Sequence, residues 1–179
     1  MTIFTNLIDG AAEEADAYIK AVLELVGDQD PMEILAALPG ALEERIANLT
    51  DEELRRPEAQ GKWSVIEIVQ HLADSDLVWA YRLRTVVAQD GVELTGYDQD
   101  AWARSLRYRE ANATAALAQF QAIRAANLQL LRSLTPSEMK HAGTHSERGT
   151  ETIEHMVRLY AGHDLAHLRQ LDRVLGGLG

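Results

Sequence analysis

The stretch ETIEHMVRLYAGHDLAHLRQLDRVLGG, residues 151–177, decides the fold because it carries one unbroken helical pattern. Its apolar and aromatic side chains recur at steps of three and four residues, which is the spacing of the buried face of an α-helix. The glycine pair at its end is a typical helix stop. The predicted buried face contains Ile153, Met156, Tyr160, His163, His167, Leu171 and Val174. The stretch therefore predicts a long core helix with two histidines on its core-facing side.

Three further long helices are predicted upstream of this one. The first of them ends near Gly27, and the second begins at Ser64, which forms the pattern of a capping box with Glu67. The predicted buried face of this second helix is Ile68, Leu72, Trp79, Leu83 and Val86. The third covers roughly 112–134, with a predicted buried face of Ala116, Phe120, Ile123, Leu130 and Leu134. Four amphipathic helices with converging apolar faces predict an all-α four-helix bundle.

The rest of the N-terminal region predicts short extra helices. One is expected at 31–37, after the helix-initiating pair Asp30-Pro31, and another from about 40 to 48. No segment of the chain shows the pattern of a convincing strand. With 179 residues and a mass of 19.8 kDa, the chain has the size of one domain. We therefore expect a single helical domain over residues 1–179.

Composition narrows the class of function. A net charge of −11 argues against a nucleic-acid-binding protein, because phosphate binding needs a basic surface. The absence of cysteine excludes a disulfide framework, a thiolate metal site and a cysteine nucleophile. The first residues lack the basic and apolar regions of a signal peptide, and no apolar run is long enough to span a bilayer. We expect a cytoplasmic protein that acts on a small molecule without contacting nucleic acid or membrane.

The two histidines of the last helix, His163 and His167, are one helical turn apart on the face predicted to be buried. Burying an imidazole without a partner costs about 1–3 kcal/mol per unsatisfied group. A metal ion removes that cost by binding the nitrogen lone pairs. His71, beside the apolar face of the second long helix, is the best candidate for a third ligand. From spacing alone, three hydrogen-bonded core histidines without metal are an equally good reading.

Several other polar residues are candidates for a role near such a site. Asp74 lies one turn after His71, where it could orient that imidazole or act as a base. The connection from about 90 to 110 is long for a helical bundle, and long connections often carry function. Within it, Tyr97, Asp98 and Trp102 are expected to help shape a substrate pocket.

The three remaining histidines are expected to lie away from the site. His141 and His145 occur in the glycine-containing stretch KHAGTHSERG, which is read as a solvated loop, and His155 is expected to be peripheral on its helix.

Four ordered motifs resemble a known family. GKWSVIEIVQHLADSD, YRLR, YDQDAWA and LYAGHDLAHLRQL follow one another over roughly residues 40–175. Together they closely resemble the DinB/YfiT-like superfamily of metalloenzymes, and in particular the YfiT branch, which includes bacillithiol S-transferases. One position departs from that pattern, because Asp164 stands where the YfiT-like helix often has an extra histidine.

The resemblance implies a four-helix bundle, often a homodimer, with a three-histidine site for a divalent ion, commonly zinc or nickel. By position, it assigns the ligands to His71, His163 and His167. It also implies a metal-dependent transferase that activates a low-molecular-weight thiol of the bacillithiol or mycothiol type. A metal-dependent hydrolase is the alternative enzyme, and a stress-related binding module in which the ion only stabilises the bundle is the non-catalytic alternative.

Overall fold

Helices dominate the computed structural model, which describes the backbone of residues 11–177 and the side chains of residues 16–177. The α-helices within this range are α1 (Ala11–Val26), α2 (Pro31–Ile46), α3 (Asp51–Arg55), α4 (Val65–Ala88), α5 (Gln99–Ser105), α6 (Ala113–Ser133) and α7 (Ile153–Gly176). The strands are β1 (Val92–Leu94), β2 (Ala142–His145) and β3 (Gly149–Thr152). None of the helices within the described range has the length and apolar character required to cross a bilayer.

Four of these helices form the bundle predicted from the sequence. α2, α6, α4 and α7 pack in a closed ring in which each helix contacts the next, while α1 packs against α7. Their apolar faces fill a core at two levels. At one level are Leu42, Ile68, Leu72, Phe120 and Leu171, and at the other are Leu35, Trp79, Leu83, Leu131 and Met156. The all-α four-helix architecture is confirmed.

The order of residues at these two levels shows the direction of each helix. α4 and α6 both run from the first level to the second, whereas α2 and α7 run the opposite way. Because α4 and α6 are parallel, the chain must travel back along the bundle between them. The connection that contains α5 makes this return and contacts α4 on the way. The unusual length of that connection, noted in the sequence, is therefore a consequence of topology.

The prediction of two short helices between residues 31 and 48 was wrong, because α2 is one continuous helix through Pro39. Proline lacks an amide hydrogen and usually interrupts a helix. The buried residues of α2 nevertheless continue at helical spacing on both sides of it, and they are Leu35, Leu38, Leu42 and Ile46. Burial of this continuous face outweighs the local cost of the proline. As a result α2, rather than α1, supplies the fourth side of the bundle.

The absence of strands was also a wrong expectation. β2 and β3 form an antiparallel hairpin, and β1 pairs parallel to β2. The sheet lies against α4, since a Cβ atom on Gly143 would come within 2.7 Å of Leu94 and 3.0 Å of Val86. Pairing buries His145 almost completely, so the reading of this residue as solvated was wrong, and His141 is only half-exposed. Strands this short carry too little alternation to be seen in a sequence.

His145 makes stability depend on pH. Burial, followed by the positive charges of Arg148 and Arg82, lowers the pKa of His145 to about 4. An unfolded histidine titrates at about 6.5. The unfolded chain therefore binds the proton more readily than the folded chain does. The contribution of neutral His145 to the free energy of unfolding is complete above pH 6.5 and is lost as the pH falls towards 4.

We expect His145→Asn to reduce the loss of stability between pH 7 and pH 5 by about 1–2 kcal/mol. The asparagine oxygen can still accept the hydrogen bond that Nδ1 receives from the Glu147 amide at 3.2 Å. Urea unfolding of both proteins at the two pH values measures the difference. An identical pH dependence in wild type and variant would contradict the prediction.

Gly162 allows α1 to approach α7 closely. A Cβ atom at this position would overlap the backbone carbonyl of Val22. We expect Gly162→Ala to lower the free energy of unfolding by about 1–3 kcal/mol, because the backbone of α1 must move. The matched control is Gly176→Ala in the same helix, where a Cβ atom would meet no neighbour within 4 Å. Equal unfolding midpoints for the two variants would show that this contact is not tight.

Candidate metal centre

The three histidines named in the sequence come together in the core. His71 lies on α4, and His163 and His167 lie on α7. One nitrogen from each ring lies within 4.8 Å of the other two, and the Nε2 atoms of His71 and His163 are 3.2 Å apart. His71 and His167 are fully buried, while the side chain of His163 is 13% exposed. The cluster is therefore accessible from one side, through His163.

Local sequence sets the positions of the two helices that carry these rings. α4 begins at Ser64, whose amide and hydroxyl both donate to the carboxylate of Glu67, at 2.9 Å and 2.8 Å. α7 begins directly after β3, where Thr152 accepts the His155 amide at 3.1 Å. The two helices run antiparallel, so the second turn of α4 meets the middle of α7. This stagger brings His71 level with the histidine pair.

Hydrogen bonding defines which nitrogen of His167 holds a lone pair. Its Nδ1 lies 2.9 Å from Oε1 of Gln170, one turn further along α7. An amide oxygen can only accept, so Nδ1 carries the proton and Nε2 carries the lone pair. A partner that holds the distal N–H in this way is typical of histidines that bind metal.

The remaining nitrogens test whether the site fits a metal ion. Nδ1 of His71 and Nδ1 of His163 are buried and have no hydrogen-bond partner among the described residues. The 3.2 Å between Nε2 of His71 and Nε2 of His163 is close to the roughly 3.3 Å expected for two imidazoles on one tetrahedral zinc-like ion. Three imidazoles whose nitrogens lie within 4.8 Å of one another are a donor set suited to a divalent transition metal. The residues fit the ion, and their role as ligands remains a prediction.

Burial keeps two of the three rings neutral. Burial, and then the neighbouring His163, lowers the pKa of His71 well below its ordinary value. Burial, and then the other two rings, does the same to the pKa of His167. Both rings are therefore uncharged at neutral pH, and neutral imidazole is the form that binds metal.

A buried ion-pair network lies beside the cluster. Arg124 on α6 donates to Asp164 at 2.5 Å and 3.2 Å and to Asp76 at 2.9 Å and 3.1 Å. It also donates to the carbonyl of Leu35 at 3.0 Å, so it ties together all four helices of the bundle. All three charged side chains are 1% exposed. Asp164, which departs from the family pattern, is thus a core residue, 3.9 Å from Nδ1 of His163.

The contacts found for the other candidate residues are with groups other than the three histidines. Asp74 is buried, but its Oδ1 accepts from the side chains of Gln70 and Gln119, at 3.2 Å and 3.0 Å. Asp98 caps α5 by accepting the Ala101 amide at 2.8 Å. The rings of Tyr97 and Trp102 contact each other, with centroids 4.6 Å apart. The role of Asp74 beside His71 and the pocket-shaping roles of Tyr97, Asp98 and Trp102 remain predictions.

Two aromatic residues that were not assigned to the site border it. The Trp63 ring lies 4.8 Å from the ring of His71 and stacks at 6.4 Å on that of His167. The Tyr160 ring is 5.9 Å from that of His163 and stacks on Trp79 at 4.3 Å. Tyr160 belonged to the predicted buried face, three residues before His163, and this spacing was the signal for its proximity.

Comparison with known proteins identifies the same family as the sequence motifs do. The model of the DinB superfamily matches residues 34–171. The protein named "Putative metal-dependent hydrolase YfiT" of Bacillus subtilis is 28% identical over 149 residues, 81% of this chain and 84% of that protein. "Putative metal-dependent hydrolase OB0782" of Oceanobacillus iheyensis is 28% identical over 134 residues, 75% of this chain and 77% of its own length.

The fold has a solved counterpart. The structure of YfiT from Bacillus subtilis, described as "a probable metal-dependent hydrolase with an unusual four-helix bundle topology", superposes with a TM-score of 0.72 at 25% identity. The match covers 97% of this chain and 94% of the other. The parallel arrangement of α4 and α6 accords with a bundle of unusual topology.

Proposed function

This chain belongs to the DinB superfamily, and we propose that it is a divalent-metal-dependent transferase that activates a low-molecular-weight thiol at His71, His163 and His167. These three histidines would hold the ion, which would lower the pKa of a bound thiol or water molecule. The sulfur then bonds to an electrophilic carbon as the leaving group departs, and the thiol proton passes to solvent.

One observation favours a thiol over water as the nucleophile. Among the described residues, the cluster that could hold the ion contains three histidines and no carboxylate. Asp164, the carboxylate beside His163, is held by two hydrogen bonds from Arg124, and Asp74 is held by two amide side chains. Neither carboxylate belongs to the cluster that could hold the ion. A thiol needs no carboxylate base, because a metal-bound thiol is already deprotonated at neutral pH.

Neighbouring side chains orient and shield the histidines for this chemistry. Gln170 holds His167 in the tautomer with its lone pair on Nε2. Trp63 covers His71 and His167 on one side and restricts water there. The partly exposed His163, whose ring lies 5.9 Å from that of Tyr160, leaves a side of the cluster for entry of a small molecule.

Hydrolysis is the second candidate, and the names of the relatives favour it. Proteins similar to this chain are named metal-dependent hydrolases. A site with three histidine ligands can also activate water without a carboxylate base. Under this reading the same three histidines act, and only the nucleophile differs.

A thiol-dependence assay separates these functions. Protein loaded with zinc or nickel is incubated with 1-chloro-2,4-dinitrobenzene or with p-nitrophenyl acetate, with and without cysteine, bacillithiol or mycothiol. We expect metal-dependent conjugation that needs the thiol and is lost in His163→Ala. The matched control is His155→Ala on the same helix, which should retain activity. Ester cleavage without thiol would favour the hydrolase. If neither reaction occurs but chelation lowers the melting temperature, the ion has only a structural role.

A further inference from the structure

Asp164 brings a carboxylate to the edge of the three-histidine cluster. Its Oδ1 lies 3.9 Å from Nδ1 of His163. Among the side chains that the structure describes, it is the one carboxylate with an oxygen within 4.0 Å of a ring nitrogen of these histidines. The Asp164 side chain is 1% exposed, and Nδ1 of His163 is also buried. No step of the proposed reaction uses this carboxylate.

The position of the His163 ring defines what its Nδ1 requires. Nε2 of His163 lies 3.2 Å from Nε2 of His71, so Nε2 is the atom placed to share an ion with His71. An imidazole that binds a metal through Nε2 carries its proton on Nδ1. This Nδ1 is buried and has no hydrogen-bond partner among the described residues. A buried N–H is normally satisfied by an acceptor, and the Asp164 carboxylate faces it.

Arg124 holds the Asp164 carboxylate in this orientation. The guanidinium donates to Oδ2 of Asp164 at 2.5 Å and to Oδ1 at 3.2 Å. It is itself fixed by two hydrogen bonds to Asp76, at 2.9 Å and 3.1 Å, and by one to the carbonyl of Leu35 at 3.0 Å. Oδ1 of Asp164 receives only the longer of the two Arg124 bonds, and a carboxylate oxygen can accept from a second donor. The carboxylate is therefore oriented in advance and retains a lone pair for His163.

We propose that Asp164 is a positioning residue of the metal centre, which accepts a hydrogen bond from Nδ1–H of His163 when Nε2 of that ring binds a divalent ion. A small rotation of the imidazole closes the gap, and no proton is transferred. A carboxylate in this position fixes the ring and makes the opposite nitrogen a stronger electron donor. His167, by contrast, has the neutral amide of Gln170 as its partner, at 2.9 Å. This inference rests on the proposed function only in taking the three histidines to be the ligands.

A matched pair of variants tests the proposal. Asp164→Asn and Asp76→Asn each change one of the two carboxylates that Arg124 binds, and both carboxylates are 1% exposed. Since Arg124 can only donate, the new amide oxygen will turn towards it in either variant. In Asp164→Asn the amide NH₂ group then faces Nδ1–H of His163, from which it cannot accept. The two variants therefore disturb the ion-pair network alike, and only one of them removes the acceptor for His163.

Zinc affinity, measured by competition with a chromophoric chelator, is the first readout. We expect Asp164→Asn to bind zinc about 10–100-fold more weakly than wild type, which is the usual cost of losing a partner of a metal-binding histidine. Asp76→Asn should bind zinc as wild type does, although urea unfolding should show that both variants are destabilised. Zinc affinity of Asp164→Asn equal to that of wild type, or an equal loss in both variants, would overturn the proposal.

Spectroscopy of the loaded protein adds a readout that a structural role would not move. The visible absorption bands of bound cobalt(II) respond to the donor strength of its ligands. We expect these bands to shift in Asp164→Asn and to match those of wild type in Asp76→Asn. Identical bands in all three proteins would contradict the proposed hydrogen bond.

A measurement on wild type decides if Asp164→Asn does not fold. Proton NMR of the zinc-loaded protein should show the Nδ1–H of His163 further downfield than that of His167, because hydrogen bonds to a carboxylate are shorter and stronger than those to an amide oxygen. The reverse order would overturn the assignment. Absence of zinc binding by wild type would overturn the metal centre and this inference together, whereas zinc binding that is insensitive to Asp164→Asn would remove this inference alone.

Discussion

Replacement of His71, His163 or His167 by alanine is expected to abolish stoichiometric binding of a divalent ion. Loss of a residue that only supports a ligand costs about 10–100-fold in metal affinity, so the loss of one ligand of three should cost more than about a hundredfold. Elemental analysis after dialysis should fall from about one ion per chain to a small fraction. Addition of a chelator should lower the melting temperature of wild type and leave that of each variant unchanged, because binding to the native state stabilises it.

The neighbouring histidines provide the controls for this result. His155 lies on α7 with the candidate ligands, and His145 is buried in the sheet, but neither belongs to the cluster. His155→Ala and His145→Asn should therefore retain the ion. If any one of the three cluster variants keeps wild-type metal content, the assignment of that histidine as a ligand is wrong.

Arg124→Met is expected to lower the free energy of unfolding by about 3–5 kcal/mol, the largest effect on stability predicted for this protein. The substitution leaves Asp76 and Asp164 buried without their shared cation. Burial raises the pKa of Asp76 to about 6 even with the guanidinium present. Without Arg124 the carboxylates must take up protons to stay buried, so the variant should gain stability relative to wild type as the pH falls from 7 to 5. Urea unfolding at both pH values measures this.

A triple variant separates the charge of the network from its shape. Asp76→Asn and Asp164→Asn, added to Arg124→Met, remove all three charges while keeping similar volumes. We expect most of the lost stability to return, because removing one partner of a buried ion pair costs more than replacing every charged member. A triple variant as unstable as Arg124→Met would show that packing of the arginine, including its contacts with the rings of Trp79 and Phe120, is the dominant contribution.

The residues of α6 show where reading the sequence was incomplete. Its predicted buried face included Ile123, Leu130 and Leu134, but these are only half-buried. The most buried residues of this helix include Phe120, Arg124 and Asn127 instead. A search for apolar residues passes over arginine and asparagine, although both occur at helical spacing from Phe120. The signal was their spacing. The burial of Arg124 is compensated by two carboxylates from two other helices, and Asn127 accepts a hydrogen bond from Arg84 at 2.7 Å.

Sequence alone determined the long helices, the buried faces of α4 and α7, and the three histidines that lie on or beside those faces. These features depend on the 3.6-residue period and on capping side chains a few positions away, so a local pattern contains them. Tertiary structure decided which residues of different helices meet. The His71–His163 contact joins residues 92 apart, and the contacts of Arg124 with Asp76 and Asp164 span 48 and 40 residues.

The same reason explains the fourth bundle helix and the sheet that buries His145. In each case the environment of the residue comes from segments distant in the chain. Local spacing cannot specify which of those segments meet.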